Sequence, residues 1–121
     1  MRYLFLLPVY FLFSCSSSGN PEDPATAGGK RLFLQNCASC HHVQQQLVGP
    51  PLNGVAGKWN RKDLYDYMHD PARYIDTRND KRIIDLHRQY KLIMPGFPQL
   101  SEKDIDAIIS YIKEEEQNPV Q

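Results

Sequence analysis

The chain has 121 residues, of which 41% are hydrophobic, and its 14 basic and 14 acidic residues leave no formal net charge. This length allows one small domain with a modest core. The basic residues form no dense stripe with interleaved aromatic residues, so nucleic-acid binding is not expected. Nine prolines and seven glycines predict long irregular segments between the helices.

The chain begins with a pattern typical of an export signal. A single arginine follows the first methionine, and an apolar run then covers residues 3–13 and ends just before Cys15. The run has about half of the ~20 residues that a membrane-spanning helix needs, so a permanent transmembrane helix is not expected. Residues 12–15 resemble a bacterial lipobox, which implies that a signal peptide, 1–14, is removed and that Cys15 is acylated. The alternative is a plain secretory signal with an incidental cysteine.

Lipidation would tie the chain to a membrane, because each buried methylene contributes about 0.8 kcal/mol and a lipoprotein carries several acyl chains. Residues 15–27, the acylated cysteine followed by Ser, Gly, Pro and acidic residues, are predicted to form a flexible tether. The folded domain is predicted to cover residues 28–116, with a disordered tail at 117–121. We therefore expect an exported protein that is lipid-anchored to a bacterial membrane, on the periplasmic or outer face.

The two remaining cysteines stand in the pentapeptide Cys37-Ala38-Ser39-Cys40-His41. Two thiols separated by two residues can add to the two vinyl groups of one porphyrin, and the imidazole that follows can bind its iron. The motif therefore predicts a single covalently attached haem c. Cys37 and Cys40 are the expected attachment points, and His41 is the expected proximal ligand of the iron.

Three other interpretations of the cysteine pair explain the sequence less well. A thioredoxin-like redox pair needs a βαβ pattern around it, and none is visible. A structural zinc site needs two more ligands, which His69 and His87 would supply only in an unusual arrangement. A simple disulfide leaves His41 without a role.

Hydrophobic periodicity predicts three helices after the motif and no convincing strand. Asn60 is the N-cap candidate for a helix over residues 61–69 that is stopped by Pro71, and a second helix is expected over residues 80–91. Ser101 and Asp104 form a capping box that begins a terminal amphipathic helix. The apolar faces of these helices comprise Leu64, Tyr67 and Met68; then Ile83, Leu86, His87 and Tyr90; then Ile105, Ile108, Ile109 and Ile112.

Over roughly residues 28–116 the sequence resembles the small monohaem cytochromes c of class I. Gly29 and Phe33 stand at the family's offsets before the haem motif. Ile108 and Tyr111 match the residues with which the C-terminal helix of the family packs across the N-terminal one. The resemblance implies an all-α, small cytochrome c fold, with three to four helices wrapped around one covalently bound haem and joined by long loops.

The resemblance also implies residues that contact the haem. Residues 49–52 (Gly-Pro-Pro-Leu) resemble the loop in which a proline carbonyl accepts a hydrogen bond from the proximal histidine. This implies Pro50 for that role, which would orient the histidine ring and raise its strength as a ligand. Leu52 is expected to pack on the haem. Trp59 and Arg61 are expected to donate to a haem propionate.

The sixth iron ligand is expected to be Met94. Residues 94–98 (Met-Pro-Gly-Phe-Pro) resemble the distal loop of the family, and a thioether in such a loop gains nothing from helix packing. Met68 and His87 are the alternatives, but both lie on apolar helix faces, where packing accounts for them. His42 directly follows the proximal ligand and cannot reach the opposite face of the haem.

Ligation of the iron by His41 and Met94 implies an electron-transfer protein and not an enzyme, because no axial position remains for a substrate or oxygen. We expect no small-molecule substrate. The expected partners are redox proteins, a quinol-oxidising complex and a terminal oxidase or reductase, and the membrane through the lipid anchor. The alternatives are a fixed subunit of such a complex, and a haem-based sensor or peroxidase-like enzyme with a labile distal ligand.

Overall fold

The computed structural model describes residues 23–118, and within that range the chain forms helices and no strand. The helices are α1 (Pro24–Asn36), α2 (Val55–Lys58), α3 (Arg61–His69), α4 (Pro71–Arg78), α5 (Lys81–Tyr90) and α6 (Glu102–Gln117). The predicted all-α class is confirmed. No helix in the described range combines the length and the apolar character that a membrane crossing needs.

The predicted N-terminal boundary of the folded domain is wrong by a few residues. The signal peptide 1–14, Cys15 and residues 16–22 lie outside the described residues, but α1 begins at Pro24, inside the predicted tether 15–27. The side chain of Asp23 caps this helix by accepting a hydrogen bond from Ala25 N at 3.2 Å. Proline is favourable in the first helical turn, because the backbone N–H that it lacks would have no hydrogen-bond partner within the helix there. At the other end α6 reaches Gln117, the first residue of the predicted tail.

The three helices predicted from periodicity are confirmed. Helix α3 begins after Asn60, whose side chain accepts from Asp63 N at 2.9 Å. Helix α6 begins with the predicted capping box: the Ser101 hydroxyl accepts from Asp104 N at 3.2 Å, and the Asp104 carboxylate accepts from Ser101 N at 2.8 Å. These bonds satisfy N–H groups that have no partner inside the helix, so they fix where the helix starts.

Helices α2 and α4 were not predicted. Pro71 ends α3 as expected, but it is also the first residue of α4. Asp70 allows both roles, since it closes α3 and then accepts from Arg73 N at 3.0 Å as the N-cap of α4. Helix α4 ends at Asn79, which adopts a left-handed conformation with φ 48°.

The core is built where α1 crosses α6. A Cβ at Gly29 would collide with the backbone carbonyl of Ala107, so only glycine allows this close approach of the two helices. The rings of Phe33 and Tyr111 lie 5.3 Å apart, centre to centre, at the same crossing. The isoleucine face of α6 is buried against α1, as Ile108 illustrates. This crossing holds the end of α1, from which the cysteine motif follows.

Candidate cofactor site

The cysteine motif forms one compact turn directly after α1. Cys37 is the C-cap of the helix, and its N–H donates to Phe33 O at 2.8 Å. Cys40 N and His41 N both donate to Cys37 O, at 3.0 and 2.8 Å. The turn therefore keeps two thiols and one imidazole within a few residues of the rigid end of a core helix.

The Cys37 thiol does not have the lowered pKa of a reactive redox cysteine. Cys37 and Cys40 are both free and partly buried. Burial, and then the neighbouring Cys40, raise the pKa of the Cys37 thiol to about 11. Redox-active CxxC cysteines have lowered thiol pKa values. The thioredoxin-like alternative is therefore not supported.

The zinc alternative also fails on geometry. Within residues 23–118, His, Cys, Asp and Glu side chains form no group of three or more that could hold a metal ion. His69, one of the two ligands that this alternative needs, uses its Nε2 in a hydrogen bond with Leu100 O at 2.7 Å. The fold therefore does not bring His69 and His87 to the cysteines as a metal-binding group.

The ring of His41 is oriented by Pro50. Its Nδ1 lies 2.8 Å from Pro50 O, so the hydrogen bond implied by the resemblance is present. A carbonyl oxygen can only accept, so Nδ1 must carry the proton. In the neutral ring the lone pair then belongs to Nε2, and a nitrogen in this state is suited to bind a metal.

Gly49 passes directly against the His41 ring. A Cβ at this position would lie only 2.5 to 2.9 Å from atoms of the ring. The backbone holds the glycine there, since Gly49 N donates to Cys40 O at 2.8 Å. The sequence pattern included Gly49 as part of the proline loop but did not show that its lack of a side chain makes room for the imidazole.

Four of the predicted site residues pack against the hydrophobic core. Cys37, Leu52, Trp59 and Met94 are all partly buried and all pack against the same buried core cluster. Covering such partly exposed apolar side chains with a further apolar surface lowers the free energy, because it removes apolar area from water. All four residues therefore contact the core and keep part of their surface exposed.

Trp59 belongs to an aromatic cluster that sequence reasoning found only in part. Its ring centre lies 5.0 Å from that of Tyr67 and 5.8 Å from that of Tyr74. The guanidinium of Arg82 lies 5.2 Å from the Trp59 ring centre. Burial raises the pKa of the Tyr67 hydroxyl. Tyr67 was expected on an inward face, whereas Tyr74 and Arg82 lie on α4 and α5, whose placement no local pattern reveals.

Arg61 does not join the other predicted site residues. Its guanidinium pairs with Asp106 on α6 at 3.0 Å. Tyr65 donates to the same carboxylate at 2.7 Å, so α3 is fastened to α6 at this point. In the structure Arg61 thus pairs with Asp106, and its expected donation to a haem propionate stays a prediction.

A groove of about 480 Å³ between α3 and α4 contains none of the predicted site residues. Asp66 in this groove accepts from Lys62 and from Arg78, both at 2.9 Å. These cations lower the pKa of the Asp66 carboxyl. The charges of the groove are largely paired with one another, so we interpret it as a solvated surface.

The residues present fit a covalently attached porphyrin. Pro50 O engages Nδ1 of the histidine that follows the second cysteine, Gly49 leaves space for the histidine ring, and Cys37 packs against the hydrophobic core. Together with the helix crossing, these features define a small helical protein that carries a haem on a CxxCH motif.

Comparison with known proteins identifies the family. The Cytochrome c family model matches residues 26–115, so the chain belongs to the cytochrome c family. This family binds haem c covalently and transfers electrons through its iron. Cytochrome c-555 of Prosthecochloris aestuarii is 30% identical over 95 residues, which cover 74% of this chain and 86% of that protein.

Solved structures agree with the assignment. A cytochrome c from Rhodothermus marinus has a TM-score of 0.66 at 24% identity and covers 78% of both chains, which shows the shared fold. The cytochrome c domain of a Pseudomonas putida protein has a TM-score of 0.60 at 29% identity and covers 74% of this chain and 89% of that one. The resemblance to the class I monohaem cytochromes c is therefore confirmed.

Proposed function

We propose that this cytochrome c is a one-electron carrier in which His41 and Met94 bind the haem iron, and that it is not an enzyme. The observation that carries the proposal is the hydrogen bond between His41 Nδ1 and Pro50 O, which leaves Nε2 as the nitrogen available to a metal. With His41 and Met94 both holding the iron, no coordination position would remain for a substrate.

The chain's own residues keep the two axial side chains in place. The carbonyl of Pro50 fixes the orientation of the His41 ring. Phe97 N donates to Met68 O at 2.8 Å, which holds the segment after Met94 against the end of α3. When bound, the haem supplies an iron that gains or loses a single electron. A thioether ligand favours the ferrous state relative to a second imidazole, so this ligand pair predicts a higher reduction potential than two histidines would give.

Replacing Met94 tests the ligand assignment. Met94→Ala is expected to remove the methionine-to-iron charge-transfer band of the ferric protein and to let the ferrous protein bind carbon monoxide. Met68→Leu is the matched control, since Met68 is buried in the core and leucine nearly conserves its volume. The control should keep the band. An unchanged spectrum of Met94→Ala would disprove the assignment, and His87→Gln would then test the competing ligand.

Covalent attachment through Cys37 and Cys40 has its own test. Acidified organic solvent should leave the pigment on the polypeptide, and Cys37→Ala should leave only one thioether bond, which a pyridine haemochrome spectrum distinguishes from two. Extraction of the pigment from the unaltered chain would show that no thioether bond exists.

We further propose that the chain works on the outer side of a bacterial cytoplasmic membrane, anchored through acylated Cys15 and linking a quinol-oxidising complex to a terminal oxidase or reductase. The apolar run before Cys15 and the polar residues after it support this location. In a bacterial host the full chain should fractionate with membranes, whereas Cys15→Ala should not. Membrane association that survives the substitution would argue against a lipid anchor.

A fixed subunit of a respiratory complex is the second candidate. Leu92 and Ile93, which directly precede Met94, are 59% and 60% exposed, and adjacent exposed apolar side chains are typical of interfaces. Purification in mild detergent separates the candidates. A carrier should elute alone, whereas a subunit should co-elute with its complex.

A further inference from the structure

Helix α5, which precedes Met94, packs closely against none of the other helices in the described range. Ile83 is its buried residue. The helix pairs that pack closely within residues 23–118 are α1 with α6, α3 with α4 and α2 with α6, and α5 belongs to none of them. The position of α5 therefore depends strongly on individual side-chain contacts.

Arg82 supplies several of these contacts at the start of α5. Its guanidinium donates to both carboxylate oxygens of Asp80, with Nη2 2.7 Å from Oδ2 and Nε 3.2 Å from Oδ1. Its Nη1 donates to the carbonyl of Lys58, and its Cζ lies 5.2 Å from the centre of the Trp59 ring. Arg82 thus binds α5 to the segment between α2 and α3, through charge-assisted and cation–π contacts.

Asp80 completes this attachment. It is the N-cap of α5 and accepts from Arg82 N at 3.0 Å. Tyr74 of α4 reaches the same carboxylate at 3.4 Å. The side chain of Asp80 is only 17% exposed, so its pairing with Arg82 is screened by water less than a fully exposed ion pair. The start of α5 is therefore held both by the pairing of Asp80 with Arg82 and by the contact of Asp80 with Tyr74 of α4.

The segment after Met94 is held by the backbone of α3. Phe97 N donates to Met68 O at 2.8 Å. A Cβ at Gly96 would lie 2.5 Å from His69 O, so the chain runs directly against the end of α3. This side of Met94 is fixed without any contribution from α5.

The segment before Met94 has no comparable support. Helix α5 ends at Tyr90 and is capped by Lys91, whose φ is 56°; Leu92 and Ile93 then extend into solvent with more than half of their surface exposed. Only two residues separate Lys91 from Met94, so the position of α5 sets where the chain returns to the core.

We propose that Arg82 is a positioning residue for Met94. By holding the start of α5 on Lys58 and Trp59, it fixes the segment that leads to the methionine and so limits the fraction of molecules in which the distal position is open. This inference rests on the proposed function, in which Met94 binds the iron.

Imidazole binding to the ferric holoprotein measures that open fraction, because imidazole can bind only where Met94 has left the iron. Arg82→Gln is expected to bind imidazole about tenfold more tightly, equal to ~1.4 kcal/mol. Arg82→Lys keeps the positive charge but lacks the planar guanidinium group, so this variant should bind imidazole with intermediate affinity. Arg88→Ala is the matched control on the same helix, since Arg88 is exposed and pairs with Asp85 at 3.5 Å. Its affinity should equal that of the unaltered protein.

Hydrogen exchange gives a second readout that is independent of ligand binding. The amides of α5 should exchange faster in Arg82→Gln, whereas those of α1 and α6 should not change. If Arg82→Gln fails to fold, Arg82→Lys decides the question by the same two measurements.

The outcomes separate this inference from the ligand assignment. Unchanged imidazole affinity in the Arg82 variants, with the methionine band present in every protein, would refute the role of Arg82 and leave Met94 as the ligand. A ferric protein without that band before any substitution would overturn the ligand assignment, and this inference with it.

Discussion

Replacing two adjacent glycines of α1 with alanine is expected to change stability in opposite directions. A Cβ at Gly28 meets no atom within 4 Å, whereas a Cβ at Gly29 collides with the carbonyl of Ala107 on α6. Both glycines lie inside α1, and neither is among the residues with positive φ. Helix propensity therefore favours alanine at both positions, by about 1 kcal/mol.

The collision at Gly29 outweighs this gain. The obstructing atoms belong to the backbone, which no change of rotamer can move, so α1 and α6 must separate. Overpacking typically costs 1–3 kcal/mol, and separation also weakens the contact between Phe33 and Tyr111 and the burial of Ile108. We expect Gly29→Ala to lower the free energy of unfolding by about 2–4 kcal/mol. Gly28→Ala should raise it by up to ~1 kcal/mol.

Thermal unfolding of the holoprotein, followed by far-UV circular dichroism, measures both effects. In a domain of this size a change of 1 kcal/mol shifts Tm by about 4–8 °C, so Gly29→Ala should lower Tm by roughly 10–25 °C. Gly28→Ala should leave Tm unchanged or raise it. A Gly29→Ala protein as stable as the original, or equal losses in both variants, would refute the account of the helix crossing.

Three further predictions follow from single contacts. Gly49→Ala should displace the His41 ring, because the new Cβ would lie 2.5 Å from it, and an altered ferric spectrum with lower haem incorporation would reveal this. Tyr65→Phe should lower the free energy of unfolding through the lost hydrogen bond to Asp106, and equal denaturation midpoints would contradict it. Hydrogen bonds from Ser101 lower the pKa of the Asp104 carboxyl below its ordinary 3.8. These bonds therefore stabilise the folded protein fully above pH ~4, and the stabilisation is lost as the pH falls through the pKa that Asp104 has in the folded protein. Asp104→Asn should therefore show a smaller decrease in Tm between pH 5 and pH 3 than the unaltered chain.

The parts of the site that sequence alone predicts are those built from neighbouring residues. Cys37, Cys40 and His41 lie close together in the sequence because both thiols and the imidazole must contact a single porphyrin from one turn of the chain. Asn60 and Ser101 mark helix starts because a capping side chain bonds to an amide only two or three residues away. Such short-range chemistry leaves a pattern in the sequence that needs no knowledge of the fold.

Pro71 shows why the helix boundaries were less predictable. A proline ends the helix before it, since its ring clashes with the preceding turn, but it is also favourable as the first residue of a new helix. The sequence pattern predicted only that Pro71 ends the helix before it. In the structure Pro71 is also the first residue of α4, because Asp70 caps that helix. The choice between a loop and a helix after Pro71 depends on the burial of Tyr74 against Trp59, which is a tertiary contact.

The arginines show the limit of prediction for long-range contacts. Arg61 is two residues from Trp59 in sequence, yet its helix points it towards Asp106. Arg82 is far from Trp59 in sequence, yet the path of α4 and α5 returns it to the indole ring. Sequence proximity does not reveal the contact between Arg82 and Trp59, because the direction of a side chain is set by its helix and not by its distance along the chain.

The two sides of the site differ in how the chain builds them. The expected proximal side lies within residues 37–50 and is closed by backbone hydrogen bonds such as that from Gly49 N to Cys40 O, so little chain entropy is lost in forming it. The expected distal side depends on Met94, whose position requires contacts that α3 and Arg82 make across the fold. Because Arg82 is about half exposed, its contacts should be lost before the crossing of α1 and α6 unfolds. In a guanidinium titration the methionine band of the ferric protein should therefore disappear before the helical signal does, and simultaneous loss of both signals would show that the distal segment is as stable as the core.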